Sequence, residues 1–160
     1  MNSICLMDTS VWLNLLNVPG RNQDKAKVID DYKVYVASGC TFILPMATIL
    51  ETGNHIAQCG SGRVRRAAAE RFVDAVKGAI EGFAPWRPSD FPDSKELGAW
   101  IDSFPQFAMQ NKSSEKTSEG TSFGDLSIIK EYEKCCAKCS MSEVFIWSLD
   151  SDLSSYHHRP

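Results

Sequence analysis

Residues 3–7 of this chain read Ser-Ile-Cys-Leu-Met, and Asp8-Thr9-Ser10 follows at once. A short, mostly apolar run bounded by polar residues predicts a buried strand. Asp, Thr and Ser are residue types that cap helix N-termini, so a helix is predicted through Val11–Leu16. The sequence therefore predicts a strand that turns directly into a helix, with an acidic residue at the junction.

The same alternation continues along the rest of the chain. Further strands are predicted at Thr41–Leu44 and Val144–Leu149, and Gly82–Pro92 reads as a short edge strand or an extended connection. Helices are predicted at 22–38, 46–58, 62–80, 94–109 with an interruption at Pro105, and 124–139. Strands that alternate with helices predict an α/β fold with a mainly parallel sheet.

The bulk properties predict one domain spanning residues 1–160. With 160 residues, of which 43% are hydrophobic and 23% charged, the chain is large enough for one core and too apolar for wholesale disorder. Its apolar runs are far shorter than the roughly 20 residues that cross a bilayer, and Asp8 interrupts the region where a signal peptide would be apolar. We therefore expect a cytoplasmic protein without a membrane partner.

The chain has six cysteines, which raises the question of a disulfide or a zinc site. Cys136 and Cys139 form a lone CxxC pair without a second pair at zinc-finger spacing, and disulfides are disfavoured in the cytosol. Reduced thiols are the favoured interpretation. Redox or metal use stays the alternative.

A polar segment, residues 110–122, separates two of the predicted helices. It is rich in Ser and Lys and has no apolar pattern. Such a composition predicts a flexible loop, and this segment is the chain's best candidate for disorder.

Four acidic residues fall at or near the junctions of strands and helices. Asp8 follows the first strand, Glu51 lies on the helix after the second, Asp125 opens a helix, and Asp150 follows the last strand. In open α/β sheets the carboxyl ends of the strands form the ligand-binding crevice. The four side chains are therefore predicted to surround one pocket.

Each acid alone has a simpler explanation, because Asp and Glu near a helix N-terminus cap its amides and complement its dipole. Together they need a counter-charge, since two carboxylates about 4 Å apart repel by about 4 kcal/mol at an effective dielectric of about 20. Mg²⁺ and Mn²⁺ prefer oxygen ligands and would supply that charge. Because such a metal activates water against a phosphodiester, the acids predict a metal-dependent phosphodiester hydrolase.

Four segments resemble the motifs of PIN domains in order and spacing. Residues 4–13, ICLMDTSVWL, resemble the first motif, and residues 44–51, LPMATILE, resemble the second. Residues 123–129, FGDLSII, resemble the third, and residues 145–153, FIWSLDSDL, the fourth. Each motif alone is weakly specific, but four in register span nearly the whole chain.

PIN domains are three-layer α/β/α folds, and many are metal-dependent ribonucleases, including the VapC-type toxins of toxin–antitoxin pairs. The resemblance implies an endoribonuclease that acts on RNA with Mg²⁺ or Mn²⁺. An antitoxin and a second copy of the chain are the protein partners it suggests. The catalytic and metal-binding acids that it implies are Asp8, Glu51, Asp125 and Asp150. The polar residues that it places beside them are Ser10, Ser148 and Asp152, with Asp152 an alternative to Asp150.

The chain departs from a small VapC-type toxin in two ways. One is the polar segment before Phe123, and the other is an end only ten residues after Asp150. The last edge strand is therefore expected to be missing or very short. These departures affect the expected dimer and antitoxin interfaces and leave the four acids unchanged.

Substrate contacts are harder to predict, because the net charge of −3 does not suit a nucleic-acid binder. Residues 61–77, however, carry five basic and two acidic side chains. The helix there is a candidate to bind the RNA backbone, through Arg63, Arg65, Arg66 and Arg71. A solvated helix face with Arg66 paired to Glu70 is an equal alternative. The candidates for base stacking are Trp12, Trp86 and Trp100, although core positions are the more common role of such residues.

Two other functions stay open from the sequence. One is a catalytically silent PIN-like module that binds RNA or protein. The other is a phosphatase or phosphoacceptor with Asp8 as nucleophile, which is disfavoured because Ser10 stands where the haloacid-dehalogenase pattern has a second Asp. His55 is interpreted as a polar neighbour of Glu51, and His157 and His158 as part of a polar tail.

Overall fold

The computed structural model describes residues 2–160. The strands are β1 (Ser3–Met7), β2 (Thr41–Leu44), β3 (Trp86–Pro88), β4 (Glu143–Trp147) and β5 (His157–His158). The helices are α1 (Thr9–Leu15), α2 (Lys25–Ala37), α3 (Met46–Ala57), α4 (Gly62–Glu81), α5 (Ser94–Met109), α6 (Phe123–Lys138) and α7 (Ser151–Ser154). Apart from the short α7, the helices lie close to their predicted bounds. None of those in the described range is long and apolar enough to cross a membrane.

The strands form one sheet in the order β3-β2-β1-β4-β5. The central strand β1 runs parallel to both neighbours, and its Cys5 pairs with Phe42 of β2 and with Phe145 of β4. β3 is parallel to β2, whereas β5 is antiparallel to β4. The predicted α/β fold with a central, mainly parallel sheet is confirmed.

Helices cover both faces of the sheet, because successive side chains of a strand point to opposite faces. On one face, Cys5 and Met7 of β1 belong to a core that includes Trp12 of α1 and side chains of α2, α3 and α4. On the other face, Ile4 and Leu6 pack with α6 and α7. The three-layer α/β/α prediction is confirmed, and burial on both faces explains why β1 lacks the polar alternation of a one-sided strand.

Helix α5 does not stop at Pro105. It begins at a capping box formed by Asp93 and Glu96 and continues to Met109. Pro105 lies on the exposed side of the helix, where its ring meets no packed neighbouring element. The predicted interruption is wrong.

The polar C-terminal tail forms an edge strand, which the sequence did not predict. His157 and His158 form β5 beside β4, and His157 Nε2 lies 2.7 Å from Glu143 Oε1. The His157 ring also packs on Phe145. This last strand of the sheet has only two residues.

The tryptophans belong to the interior. Trp12 is fully buried and packs edge-on against Phe72 and Trp86. Trp86 Nε1 donates to the carbonyl of Ala75, and Trp100 is buried as well. The core interpretation is therefore confirmed for Trp12 and Trp100, and neither presents a ring for base stacking.

The six cysteines are free thiols, as the favoured interpretation predicts. Cys5, Cys40 and Cys59 are buried. Cys136 and Cys139 pack at the margin of the core on the α6 side of the sheet.

Candidate active site

The predicted acids meet at one edge of the sheet. β1, β2 and β4 are parallel, so their carboxyl ends share an edge, and the chain passes from one side of β1 to the other between β3 and β4. Where the direction of the chain connections reverses in this way, a crevice forms at the carboxyl ends of the two adjacent strands, here β1 and β4. A cavity of about 320 Å³ is lined by the four predicted acids, Asp8, Glu51, Asp125 and Asp150.

Asp8 is held in place by both strands at the crevice. Its amide donates to the carbonyl of Trp147 in β4 at 3.0 Å, and its side chain caps α1. Ser10 Oγ and Ser148 Oγ donate to Asp8 Oδ2 at 2.7 and 2.8 Å. The two serines thus contact the acid they were predicted to support, and together they set the orientation of its carboxylate.

Glu51 projects from α3, the helix that follows β2. Thr9 Oγ1 donates to Glu51 Oε2 at 2.8 Å, and Thr48 Oγ1 donates to the carbonyl of Met7 at 2.8 Å. The second bond ties the start of α3 to the end of β1. Glu51 Oε1 lies so close to Gly124 that a Cβ at that position would collide with it. An added side chain at position 124 would therefore displace the Glu51 carboxylate.

Asp125 lies in the first turn of α6 and is 8% exposed. The helix begins at Ser122, whose hydroxyl accepts a hydrogen bond from the Asp125 amide at 3.1 Å. Lys112 Nζ lies 3.1 Å from Asp125 Oδ2. Asp125 is therefore both a first-turn acid of α6 and a partner of a charged residue from another segment.

Asp150 and Asp152 occupy different environments. Asp150 lines the cavity and has a side chain 47% exposed, whereas the side chain of Asp152 is only 10% exposed. Lys116 Nζ lies 3.3 Å from Asp150 Oδ1 and 3.9 Å from Asp152 Oδ1. Lys112 Nζ lies 3.9 Å from Asp152 Oδ2. Of the two acids that compete for the fourth position, Asp150 is the one that lines the cavity.

Burial and mutual repulsion act on the acids together. Burial raises the pKa of Asp8, the hydrogen bonds from Ser10 and Ser148 oppose that rise, and the charge of Asp125 adds to it. Burial also raises the pKa of Glu51, opposed by the Thr9 hydroxyl and increased by the charges of Asp125 and Asp8. The carboxylates are thus close enough to destabilise one another's charged forms.

Sequence reasoning did not anticipate three other titratable residues of this cavity: Arg21, Lys112 and, as a cavity residue, His55. Burial of the Lys112 ammonium opposes its charge, but Asp125 and Asp152 outweigh this effect, so the pKa of Lys112 is raised. Burial and the charge of Arg21 lower the pKa of His55. Arg21 and Lys112 lie in segments without periodicity, so no pattern indicated their position.

The arginines of α4 are not among the residues that line this cavity. Arg71 donates to the carbonyls of Leu16 and Asn17 at 3.0 Å each, which supports the end of α1. Arg65 donates to two carbonyls just before α4. Arg66 forms the anticipated ion pair with the glutamate one turn later, at 3.0 Å. Three of the four candidate RNA contacts therefore have structural partners.

The donor set fits a hard divalent cation in its chemistry. Asp8, Glu51 and Asp125 bring carboxylate oxygens, the ligand type that Mg²⁺ prefers, from three elements to one cavity, and Lys112 supplies one positive charge beside Asp125. Within residues 2–160, no group of three or more His, Cys, Asp or Glu side chains stands in a metal-holding arrangement. Mg²⁺ is often held by one or two carboxylates, with water and phosphate completing its coordination.

The chain matches no protein-family model, no curated protein and no solved structure at a significant level. The resemblance to PIN domains therefore depends on its four motif segments.

Proposed function

We propose that this chain is a Mg²⁺- or Mn²⁺-dependent nuclease that hydrolyses phosphodiester bonds, with RNA as its substrate. The observation that carries the proposal is the convergence of Asp8, Glu51, Asp125 and Asp150 on one cavity from four separate parts of the chain. The motif resemblance supports it, since it selects the same four residues.

The side chains around the cavity would have distinct roles. Asp8, Glu51 and Asp125 would hold the cation, which when bound would activate water and offset the charge of the phosphate. Ser148 and Ser10 favour the charged form of Asp8, because hydrogen bonds to a carboxylate lower its pKa. The exposed Arg21 would bind a phosphate of the RNA backbone at this cavity.

Cleavage of a single-stranded RNA by the purified chain in Mn²⁺ tests the proposal. Asp8→Asn should reduce cleavage by at least about a hundredfold, because it removes a charged oxygen ligand. The variant should stay folded, since Asn retains an oxygen that accepts from Ser10 and Ser148. Asp102→Asn, which removes an exposed carboxylate of α5, is the matched control. Activity that survives Asp8→Asn or EDTA would overturn the proposal, and a DNA strand of the same sequence tests the preference for RNA.

The position of the RNA is tested by a pair of arginine variants. Arg21→Gln should raise the KM for RNA about tenfold, because a phosphate contact at the cavity is lost. Arg63→Gln, which removes an exposed cation of α4, should change KM less than twofold by the same reasoning. A larger increase in KM for Arg63→Gln than for Arg21→Gln would indicate that α4 binds the RNA.

A catalytically silent binding module is the second candidate. It is favoured by one observation, the neutralisation of Asp125 and Asp150 by lysines of the chain itself. RNA binding that is indifferent to Mg²⁺, together with no cleavage in Mn²⁺, would establish it. The toxin role, the antitoxin and the homodimer stay predictions from the resemblance, and an adjacent reading frame for a small DNA-binding protein would support the toxin role.

A further inference from the structure

We propose that residues 110–122, named here the lysine strap, restrain the candidate site by competing with the divalent cation for its acids. This inference rests on the proposed function in one respect only, that the site takes such a cation. It assigns a regulatory role to a segment whose composition alone indicated nothing more than a loop.

Both ends of the lysine strap are anchored. Asn111 and Gly120 form an antiparallel bridge, and the Lys112 amide donates to the carbonyl of Glu119 at 2.9 Å. A Cβ at Gly120 would collide with the backbone of Ala108, so the neck of the strap, residues 111–112 and 119–120, packs directly on the end of α5. These contacts hold the two ends of the strap together beside Lys112.

The two lysines contact three different acids. Lys112 lies between Asp125 and Asp152, and Lys116 lies between Asp150 and Asp152. The side chain of Lys112 is only 17% exposed, and its ammonium lies within 4 Å of two carboxylates. Ion pairs of this partly buried kind are screened less by salt than pairs on the open surface.

The arrangement has a direct consequence for cation binding. Asp125 and Asp150 line the cavity, and a cation that uses either of them must displace or repel a lysine ammonium. The anchored neck keeps Lys112 near Asp125 even after its side chain has been displaced. The strap should therefore weaken cation binding in the resting chain and move when a cation binds.

Binding of Mn²⁺ alone, followed by the electron paramagnetic resonance signal of the free ion, measures this competition without any substrate. The double variant Lys112→Gln/Lys116→Gln should bind Mn²⁺ at least about tenfold more tightly than the parent chain. Two positive charges that repel the divalent ion at close range are removed in this variant. Lys112→Arg/Lys116→Arg keeps both charges and should bind within about threefold of the parent.

The matched control is Lys27→Gln/Lys77→Gln. Lys27 of α2 and Lys77 of α4 are exposed, so their loss removes the same two positive charges without touching Asp125, Asp150 or Asp152. This control should change Mn²⁺ affinity less than twofold, because exposed charges that contact none of these acids are largely screened. Circular dichroism of each variant checks that its fold is intact.

Displacement of the strap has its own readout. A glutamate-specific protease can cut after Glu115, which is exposed and lies between the anchored ends of the strap. Added Mn²⁺ should accelerate this cut in the parent chain, and unchanged or slower cutting would contradict the proposal.

The outcomes separate this inference from the proposed nuclease. Tighter Mn²⁺ binding by the Gln variant without RNA cleavage would support the strap and overturn the nuclease. Unchanged or weaker Mn²⁺ binding by that variant would overturn the strap, whatever the cleavage result. Binding of Mn²⁺ by neither chain would overturn both. If the Gln variant loses cleavage at saturating Mn²⁺ and its Mn²⁺ affinity does not rise, the lysines bind the substrate. That result would also overturn the proposed role of the strap.

Discussion

Ser148 Oγ donates a 2.8 Å hydrogen bond to Asp8 Oδ2, although the two residues are 140 positions apart. The Asp150 amide in turn donates to Ser148 Oγ at 3.0 Å, and the Leu149 amide donates to Ser10 Oγ at 3.0 Å. Side chains therefore join the ends of β1 and β4 beyond the last pair of the strand ladder. The candidate site and the centre of the sheet share these bonds, so substitutions here should affect both.

Ser148→Ala should lower the free energy of unfolding by about 1–2 kcal/mol, because it leaves Asp8 and the Asp150 amide without their shared hydroxyl. It should also weaken Mn²⁺ binding, since the pKa of Asp8 rises further when a stabilising hydrogen bond is lost. Urea unfolding and Mn²⁺ titration measure the two effects. Ser154→Ala, whose hydroxyl makes only a long 3.4 Å bond on an exposed turn, is the control. Parent-like behaviour of Ser148→Ala would mean that the Asp8 contact contributes nothing.

Gly124→Ala should stabilise the chain less than an ordinary Gly→Ala change in a helix, because the new Cβ overlaps Glu51 Oε1 and moves a carboxylate that accepts a hydrogen bond from Thr9. Displacement of Glu51 should also reduce Mn²⁺ affinity. Gly98→Ala in α5 is the control, since a Cβ there meets no atom within 4 Å. That control should stabilise the helix by about 0.5–1 kcal/mol. Thermal unfolding compares the two, and equal shifts would show that the contact at Gly124 is unimportant.

Arg71→Ala should cost about 1–2 kcal/mol of stability, because its guanidinium bonds to the carbonyls of Leu16 and Asn17 where α1 ends. Arg63→Ala on the same helix should change stability by less than about 0.5 kcal/mol, as expected for an exposed surface side chain. Urea unfolding of the two variants distinguishes a structural arginine from a surface one. A smaller effect at Arg71 than at Arg63 would contradict this assignment.

Glu131→Gln should change how stability depends on pH. Burial raises the pKa of Glu131 to about 7, against opposing effects of Ser89 and Lys134. Because the folded pKa lies above the unfolded one, its contribution is complete below about pH 4.5 and is lost as the pH rises through about 7. The parent chain should therefore lose about 3 kcal/mol more than the variant between pH 4.5 and pH 8.

Urea unfolding of both chains at the two pH values measures this difference. Glu133→Gln, on the exposed side of the same helix, is the control and should keep the parent's pH dependence. An equal loss of stability in the parent and in Glu131→Gln would rule out Glu131 as its source.

The sequence by itself determined the order of strands and helices and the choice of the four acids. Helix caps and apolar spacing act over a few neighbouring residues, so β1, α3 and α4 lie close to their predicted bounds. The position of Asp8 was predictable for the same reason, since it depends on a local junction. Local rules failed at Pro105, which an exposed helix face tolerates, and at His157–His158, whose strand depends on pairing with β4.

Only the tertiary structure decided what surrounds the acids. Lys112, Lys116 and Arg21 lie in segments without periodicity, and such segments take their positions from the packing of the elements at their ends. The close approach of Glu51 to Gly124 likewise involves a side chain on another helix. The basic pattern of α4 suggested an RNA surface, yet Arg71 and Arg65 satisfy backbone carbonyls there. A charge pattern is a local property of the sequence, whereas the partner of each charged side chain depends on the fold.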